Sequence, residues 1–295
     1  MRLSCLAGTA FVLAFAAACG SEAPATVVTP AGPEDVAPQE AAALEVDVLD
    51  CGTIEVSDLD AFSSAGDFAG QTDTFTDTCF LVRHPEGTLL WDLGLPGILT
   101  VAGPQTQQIF TVSLEKTITD HLADRGMTPA DVDYVAISHS HFDHIGQADQ
   151  VAGATWLVNE AELGAMFPED GSAAEIAPEQ QALFALFEPM EKQLFTGELD
   201  VFGDGSVVIF ETPGHTPGHA SLQLMMPETG PVLLTGDLYH RAESRELKRV
   251  PRFNSDEGET LASMESFEDR AERLGAMVII QHEPQDIDPL QGIIR

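Results

Sequence analysis

Apolar and polar residues alternate over residues 44–56, and shorter apolar runs recur at 78–82, 88–91, 132–137, 154–158, 207–210, 220–225, 232–234 and 277–280. Period-two spacing and β-branched content mark each run as a strand. His84-Pro85-Glu86-Gly87 supplies a turn between the second and third. Elsewhere the apolar spacing becomes helical. Leu114, Ile118 and Leu122 share one face, closed by Gly126, and Leu261, Met264, Phe267, Ala271 and Leu274 share another, with Ser255 or Asp256 as its cap. Residues 97–109, rich in Pro, Gly and Gln, read as a loop, and a brief helical turn follows Gly146. Residues 159–195 read as helical and carry an apolar stripe of Leu183, Phe184, Leu186, Phe187, Met190, Leu194 and Phe195. That stripe either packs on the core or forms a lid lining a pocket for an apolar substrate. Strands alternating with helices predict a layered α/β domain.

The pattern breaks at the N-terminus. Arg2 precedes an apolar run from Leu6 to Ala18, too short to span a bilayer and of signal-peptide length. Ala16-Ala17-Ala18-Cys19-Gly20 resembles a bacterial lipoprotein signal, with Ala16 where Leu is usual. We therefore expect a signal peptide over residues 1–18, lipidation at Cys19, a disordered tether over 19–43 and a folded domain over 44–295. Residues 20–43 contain no Lys or Arg and show no periodicity. The expected product is an exported lipoprotein facing the periplasm or exterior, touching the membrane only through its lipid. Cys51 and Cys79 remain in the folded part. In an oxidising compartment they are expected to pair, the alternative being two buried thiols.

Charge narrows the partners. The 295 residues hold 48 acidic and 13 basic side chains, a formal net charge of −35. Such a surface repels polyanions, and the only basic stretch, residues 241–252, is too short for a nucleic-acid track. Nucleic acid is thus excluded as a partner. The acidity itself reads as a solvated surface.

The chemistry is concentrated in Ser138-His139-Ser140-His141-Phe142-Asp143-His144. Imidazole and carboxylate are ligands that zinc takes in catalytic sites, and this density at a strand end points to a metal. Other strands also end on ligand-type residues: His215 in Thr212-Pro213-Gly214-His215-Thr216-Pro217-Gly218-His219, Asp237 in Thr235-Gly236-Asp237, and His282 after Gln281. Asp92, at the end of another strand, either orients such ligands or serves as a turn residue.

Taken in order, these four motifs resemble the metallo-β-lactamase superfamily over roughly residues 44–295. The resemblance implies a four-layer αβ/βα sandwich with two sheets face to face. It also implies two zinc ions, or another divalent metal in their place, one held by His139, His141 and His215, the other by Asp143, His144 and His282, with Asp237 bridging. It gives His84, His121, His219 and His240 no ligand position. Two dications lower the pKa of a bridging water toward about 7, so the expected nucleophile is a metal-bridging hydroxide attacking a carbonyl or phosphoryl centre. Asp143 is placed to orient it or carry its proton.

Spacings of 22 residues from His215 to Asp237 and 45 from Asp237 to His282 resemble the acyl-homoserine lactonase branch. Lactonases of that branch carry a carbonyl-polarising tyrosine three residues after the bridging aspartate. Here His240 stands there, with Tyr239 one residue earlier; either takes that role, or neither touches substrate. The expected activity is hydrolysis of a lactone or ester, on a small, neutral, partly hydrophobic molecule. Alternatives are a phosphotriesterase or phosphodiesterase, a β-lactamase, an iron-dependent sulfur dioxygenase, or a non-catalytic binding module.

Overall fold

The computed structural model describes residues 44–295. The signal-peptide and tether segments, with Cys19, lie outside the described residues. Two sheets are present. The first contains β1 (Glu45–Val56), β2 (Asp73–His84), β3 (Gly87–Trp91), β4 (Gln105–Gln107), β5 (Phe110–Ser113), β6 (Tyr134–Ala136), β7 (Thr155–Asn159) and β8 (Lys192–Phe195). The second contains β9 (Glu198–Asp200), β10 (Val207–Glu211), β11 (Ala220–Met226), β12 (Gly230–Leu234) and β13 (Met277–Ile279), while β14 (Ile293–Ile294) returns to β1.

The order is β4-β5-β1-β2-β3-β6-β7-β8 in one sheet and β13-β12-β11-β10-β9 in the other. The pleat explains the layers, because alternate side chains face opposite ways. Phe80, Val82, Leu89 and Trp91 of the first sheet meet Ile209, Leu222, Leu224 and Leu234 of the second in one buried cluster. Cys79, Leu81, Leu90 and Val135 point outward, under Ile118 and Leu122 of the helix Ile118–Asp124. Phe210 and Leu233 point outward from the second sheet, under Met264, Phe267 and Ala271 of the helix Glu257–Leu274. The result is four layers, helix–sheet–sheet–helix.

Three expectations need correcting. Residues 97–109 are not all loop: a helical turn, Leu99–Ala102, and β4 occur there. Leu114 precedes the helix it was assigned to, because the Thr117–Asp120 capping box starts that helix at Ile118. Residues 192–195 are a strand, not helix. They pair in parallel with β7 and bury Phe195 between the sheets. The apolar stripe of 159–195 is divided accordingly. Phe184, Phe187 and Met190 enter the core, Leu194 is exposed, and Leu183 faces a surface groove.

Cys51 and Cys79 form a disulfide between β1 and β2. Cys51 sits at a register shift in β1, between Asp50, paired with Thr78, and Gly52, paired with Asp77. Cys51 O then accepts the amide of Leu95, fastening the loop after Trp91. No helix among the described residues is long and apolar enough to cross a membrane.

Candidate metal centre

The parallel pairs β3–β6 and β12–β13 end at the same side of the sandwich, where ligands collect in α/β sheets. Residues just past the strand ends meet there in two sets: His139, His141, His215 and Asp237 in one, and Asp143, His144 and His282 in the other, the ligand atoms of each within 4.8 Å of one another. All seven are buried except His141, which is half-buried.

Asp237 stands between the sets. Its Oδ1 lies 3.2 Å from His144 Nε2 and 3.0 Å from His282 Nε2. Its Oδ2 lies 3.6 Å from His139 Nε2, 3.3 Å from His215 Nε2 and 2.9 Å from His240 Nε2. The turn that places it needs Gly236, with φ at +53°; a Cβ there would come within 2.7 Å of His219 Nε2.

Hydrogen bonds behind the rings decide which nitrogens face inward. His144 Nδ1 donates to Asp92 Oδ2 at 3.1 Å and His282 Nδ1 to the Thr76 carbonyl at 2.8 Å. His215 Nδ1 donates to Asn254 Oδ1 at 3.1 Å, and that amide's nitrogen is spent on the Gly214 carbonyl and Thr260. Each of these rings, with its Nδ1–H spent outward, turns Nε2 toward the centre as the nitrogen available to a metal. Asp92 is therefore an orienting residue rather than a simple turn residue. It is fully buried, has φ of +61°, and also accepts Ser138 N at 2.6 Å and Gln281 Nε2 at 2.8 Å.

Ring nitrogens thus face ring nitrogens. His215 Nε2 lies 3.0 Å from His141 Nδ1, and His282 Nε2 lies 3.3 Å from His144 Nε2. His139 Nε2 and Asp237 Oδ1 are buried without a hydrogen-bond partner. Converging acceptors are unfavourable unless cations lie between them. The separations approach the ~3.3 Å edge of a tetrahedron built on ~2.0 Å metal–nitrogen bonds. The donor set fits two metal ions. Proton affinities divide within the cluster: burial opposes charge on His144, but Asp237, Asp92 and Asp143 outweigh it and raise its pKa. Burial and neighbouring histidines push His139 and His141 well below the usual imidazole value. Burial also opposes charge on His282, but Asp237 and Asp143 outweigh it and raise its pKa to about 9. His219 is no ligand: it accepts the Asp237 amide on Nε2 at 2.9 Å, and burial lowers its pKa to about 3.

The two flanking residues part company. His240 lines the cavity beside Asp237 and packs edge-on against Phe62, ring centroids 4.8 Å apart. Tyr239 does not reach the cavity. Its hydroxyl donates to Glu268 at 2.9 Å and its ring lies against Phe267 under the outer helix. The expectation that Tyr239 polarises a substrate carbonyl is corrected on that ground.

The cavity measures about 430 Å³ and is walled by Phe62, Phe75, Phe110, Phe142 and Phe253. Across Gln108, Phe110 and Phe142 it adjoins a groove of about 590 Å³, lined further by Ile98, Leu99 and Leu183. The basic stretch is charge-paired: Arg241, Arg245, Arg249 and Arg252 meet Asp73, Glu268, Asp67 and Asp60.

The pattern of the metallo-beta-lactamase superfamily matches residues 73–282. An N-acyl homoserine lactonase, AttM of Rhizobium radiobacter, is 31% identical over 217 residues, covering 70% of this chain and 81% of the relative. The chain belongs to the metallo-beta-lactamase superfamily, in its acyl-homoserine lactonase branch. An N-acyl homoserine lactonase of a Bacillus species is 28% identical, covering 72% of this chain and 82% of its own. Two solved structures share the superfamily fold. One is an AiiA variant from B. thuringiensis with N-decanoyl-L-homoserine bound at its active site (TM-score 0.70, 22% identity, covering 85% of this chain and 96% of that one). The other is AidC, a dizinc quorum-quenching lactonase (TM-score 0.64, 18% identity, covering 86% and 91%). In this superfamily member the two donor sets form a binuclear metal site, and the protein is a metal-dependent hydrolase.

Three residues of the site escaped the sequence reading: Gln281, Asn254 and Glu162. Gln281 accepts Trp91 Nε1 and Gly236 N and donates to Asp92. Its position beside His282 was the one available signal. Asn254 and Glu162 lie far from every ligand in the chain and carried none.

Proposed function

We propose that this protein is a dizinc lactonase that opens the ring of N-acyl homoserine lactones. The observation that carries the proposal is the Asp237 carboxylate lying between two histidine sets at the floor of an aromatic cavity. The AttM relatives act on this substrate class by name, at up to 31% identity. The ligands assigned are His139, His141 and His215 for one zinc, Asp143, His144 and His282 for the other, and Asp237 for both. Imidazole and carboxylate donors without thiolate suit zinc.

Bound zinc would supply a nucleophile at neutral pH and polarise the attacked carbonyl. The protein's groups do the rest. The phenylalanine walls exclude water and take the lactone ring and the start of the acyl chain. The adjoining groove gives that chain room beyond Phe142. Asp143 borders the cavity, receives the nucleophile's proton and returns it to the ring oxygen as the carbon–oxygen bond breaks. His240, with Nε2 at 2.9 Å from Asp237 Oδ2, holds that carboxylate and borders the place of the substrate carbonyl.

The test is hydrolysis of a panel by the purified protein, with zinc measured on the same sample. The panel holds short- and long-chain acyl-homoserine lactones, an aryl ester, a cephalosporin and a phosphotriester. Two zinc ions with lactone preference are expected. Two zinc ions with faster turnover of any other panel member would discard the lactone assignment.

We further propose export as a lipoprotein through Cys19. The Cys51–Cys79 disulfide suits an oxidising compartment. Labelling with a lipid precursor tests this, and a Cys19→Ala protein that still labels would refute it.

A further inference from the structure

Glu162 lies in the helix Glu160–Met166, and no ligand motif includes it. Its side chain is buried. A buried carboxylate is costly unless hydrogen-bonded, and three donors meet this one. Ser140 N donates to Oε1 at 2.7 Å, while Thr216 Oγ1 and Gly218 N donate to Oε2 at 2.8 and 3.0 Å. Those donors belong to two separate loops. Ser140 lies between His139 and His141, and Thr216 follows His215.

The approach is close. A Cβ at Gly218 would stand 2.2 Å from Glu162 N and 2.6 Å from Asn159 Oδ1. Asn159 caps the same helix through Ala161 N and ties it to Glu211, at the end of β10, through Nδ2. The other metal set is held differently, by Asp92 behind His144 and Thr76 behind His282.

We infer that Glu162 is the positioning residue of the three-histidine set, fixing the His139–His141 loop against the His215 loop by one shared carboxylate. The inference rests on the binuclear reading above. Glutamine at 162 would keep the shape but turn one oxygen into an N–H donor facing donors. The ligands of only one ion would then lose their register.

The experiment compares full-chain wild type and Glu162→Gln, both zinc-loaded, by metal analysis after dialysis against graded chelator. Wild type should retain two ions. Glu162→Gln should release one of them at about ten- to hundredfold weaker affinity, as for other outer partners of metal ligands, and hold the second as wild type does. Combined with Asp92→Asn, which strikes the other set, the double variant should lose both. Retention of both ions by Glu162→Gln at wild-type affinity, parallel loss of both, or loss of only one ion by the double variant would each overturn the inference. Should Glu162→Gln fail to fold, Thr216→Val removes a single donor: easier release of one ion supports the assignment, and unchanged retention overturns it. A wild type binding fewer than two ions would overturn the metal reading, and this inference with it.

Discussion

Asp92 offers the sharpest test of how the protein prepares its ligands. Its carboxyl group accepts Ser138 N on Oδ1 and both Gln281 Nε2 and His144 Nδ1 on Oδ2. In Asp92→Asn, Oδ1 can still serve Ser138, but Nδ2 now faces two donors. His144 relieves the conflict by moving its proton to Nε2, the nitrogen aimed at Asp237. Metal binding must then force the proton back against an amide donor. One unsatisfied buried donor costs about 1–3 kcal/mol, which is about five- to 140-fold in affinity at 1.4 kcal/mol per factor of ten. Replacing partners behind metal ligands costs about ten- to hundredfold elsewhere. The assay is competitive chelation at constant pH, with the melting temperature of metal-free protein followed alongside. One ion should weaken within that range. Asp92→Asn binding both ions as wild type does would refute the tautomer reasoning.

Further outcomes are expected. Asp237→Asn should weaken both ions by at least about tenfold and abolish lactone turnover; full metal content with normal turnover would remove its bridging role. Tyr239→Phe should lose about 0.5–1.5 kcal/mol of stability, from its bond to Glu268, and leave kcat/KM unchanged, whereas His240→Ala should lower kcat; a tenfold rate loss in Tyr239→Phe would restore the tyrosine. Leu183→Glu should raise KM for long-chain lactones and spare short-chain ones, since each buried methylene contributes about 0.8 kcal/mol; an equal effect on both would remove the groove from the substrate path. In the metal-free protein His282 holds its proton below pH about 9, because its pKa is raised. Metal must expel that proton, so affinity should fall as pH drops from 8.5 to 6.5, by up to about tenfold per unit; a flat profile by calorimetry would contradict it.

Much of the fold was legible because its strands are buried on both faces and read as apolar runs. The exceptions have local causes. β4 is a three-residue, fully exposed edge strand, invisible to a hydrophobic pattern. β8 places Phe195 between the sheets and leaves Leu194 exposed. That strand alternation spans too few residues to stand out from the helical spacing before it. At the metal centre, residues close in sequence declared themselves: His139, His141, Asp143 and His144 are one motif. Asn254 and Glu162 act across 39 residues to His215 and 22 to Ser140, so only the folded chain shows what they hold.

The exchange between Tyr239 and His240 shows how little separates a correct motif from a correct residue. Sequence spacing places both next to Asp237 and cannot say which way either points. The backbone decides. Tyr239 is extended, with φ of −137° and ψ of 137°, and in extended chain neighbouring side chains face opposite sides. One of the pair must therefore turn to the metal cavity and the other to the outer helix. Apolar burial under Phe267 and the bond to Glu268 favour the larger phenol on the helix side. The smaller imidazole remains for the cavity, where Asp237 accepts its Nε2–H and the rings of Phe62 and His282 pack around it. Swapping the two residues should thus damage both places at once. Tyrosine at 240 would meet Phe62 and Phe75 in a filled wall, and histidine at 239 would leave the Phe267 contact unfilled and Glu268 out of reach.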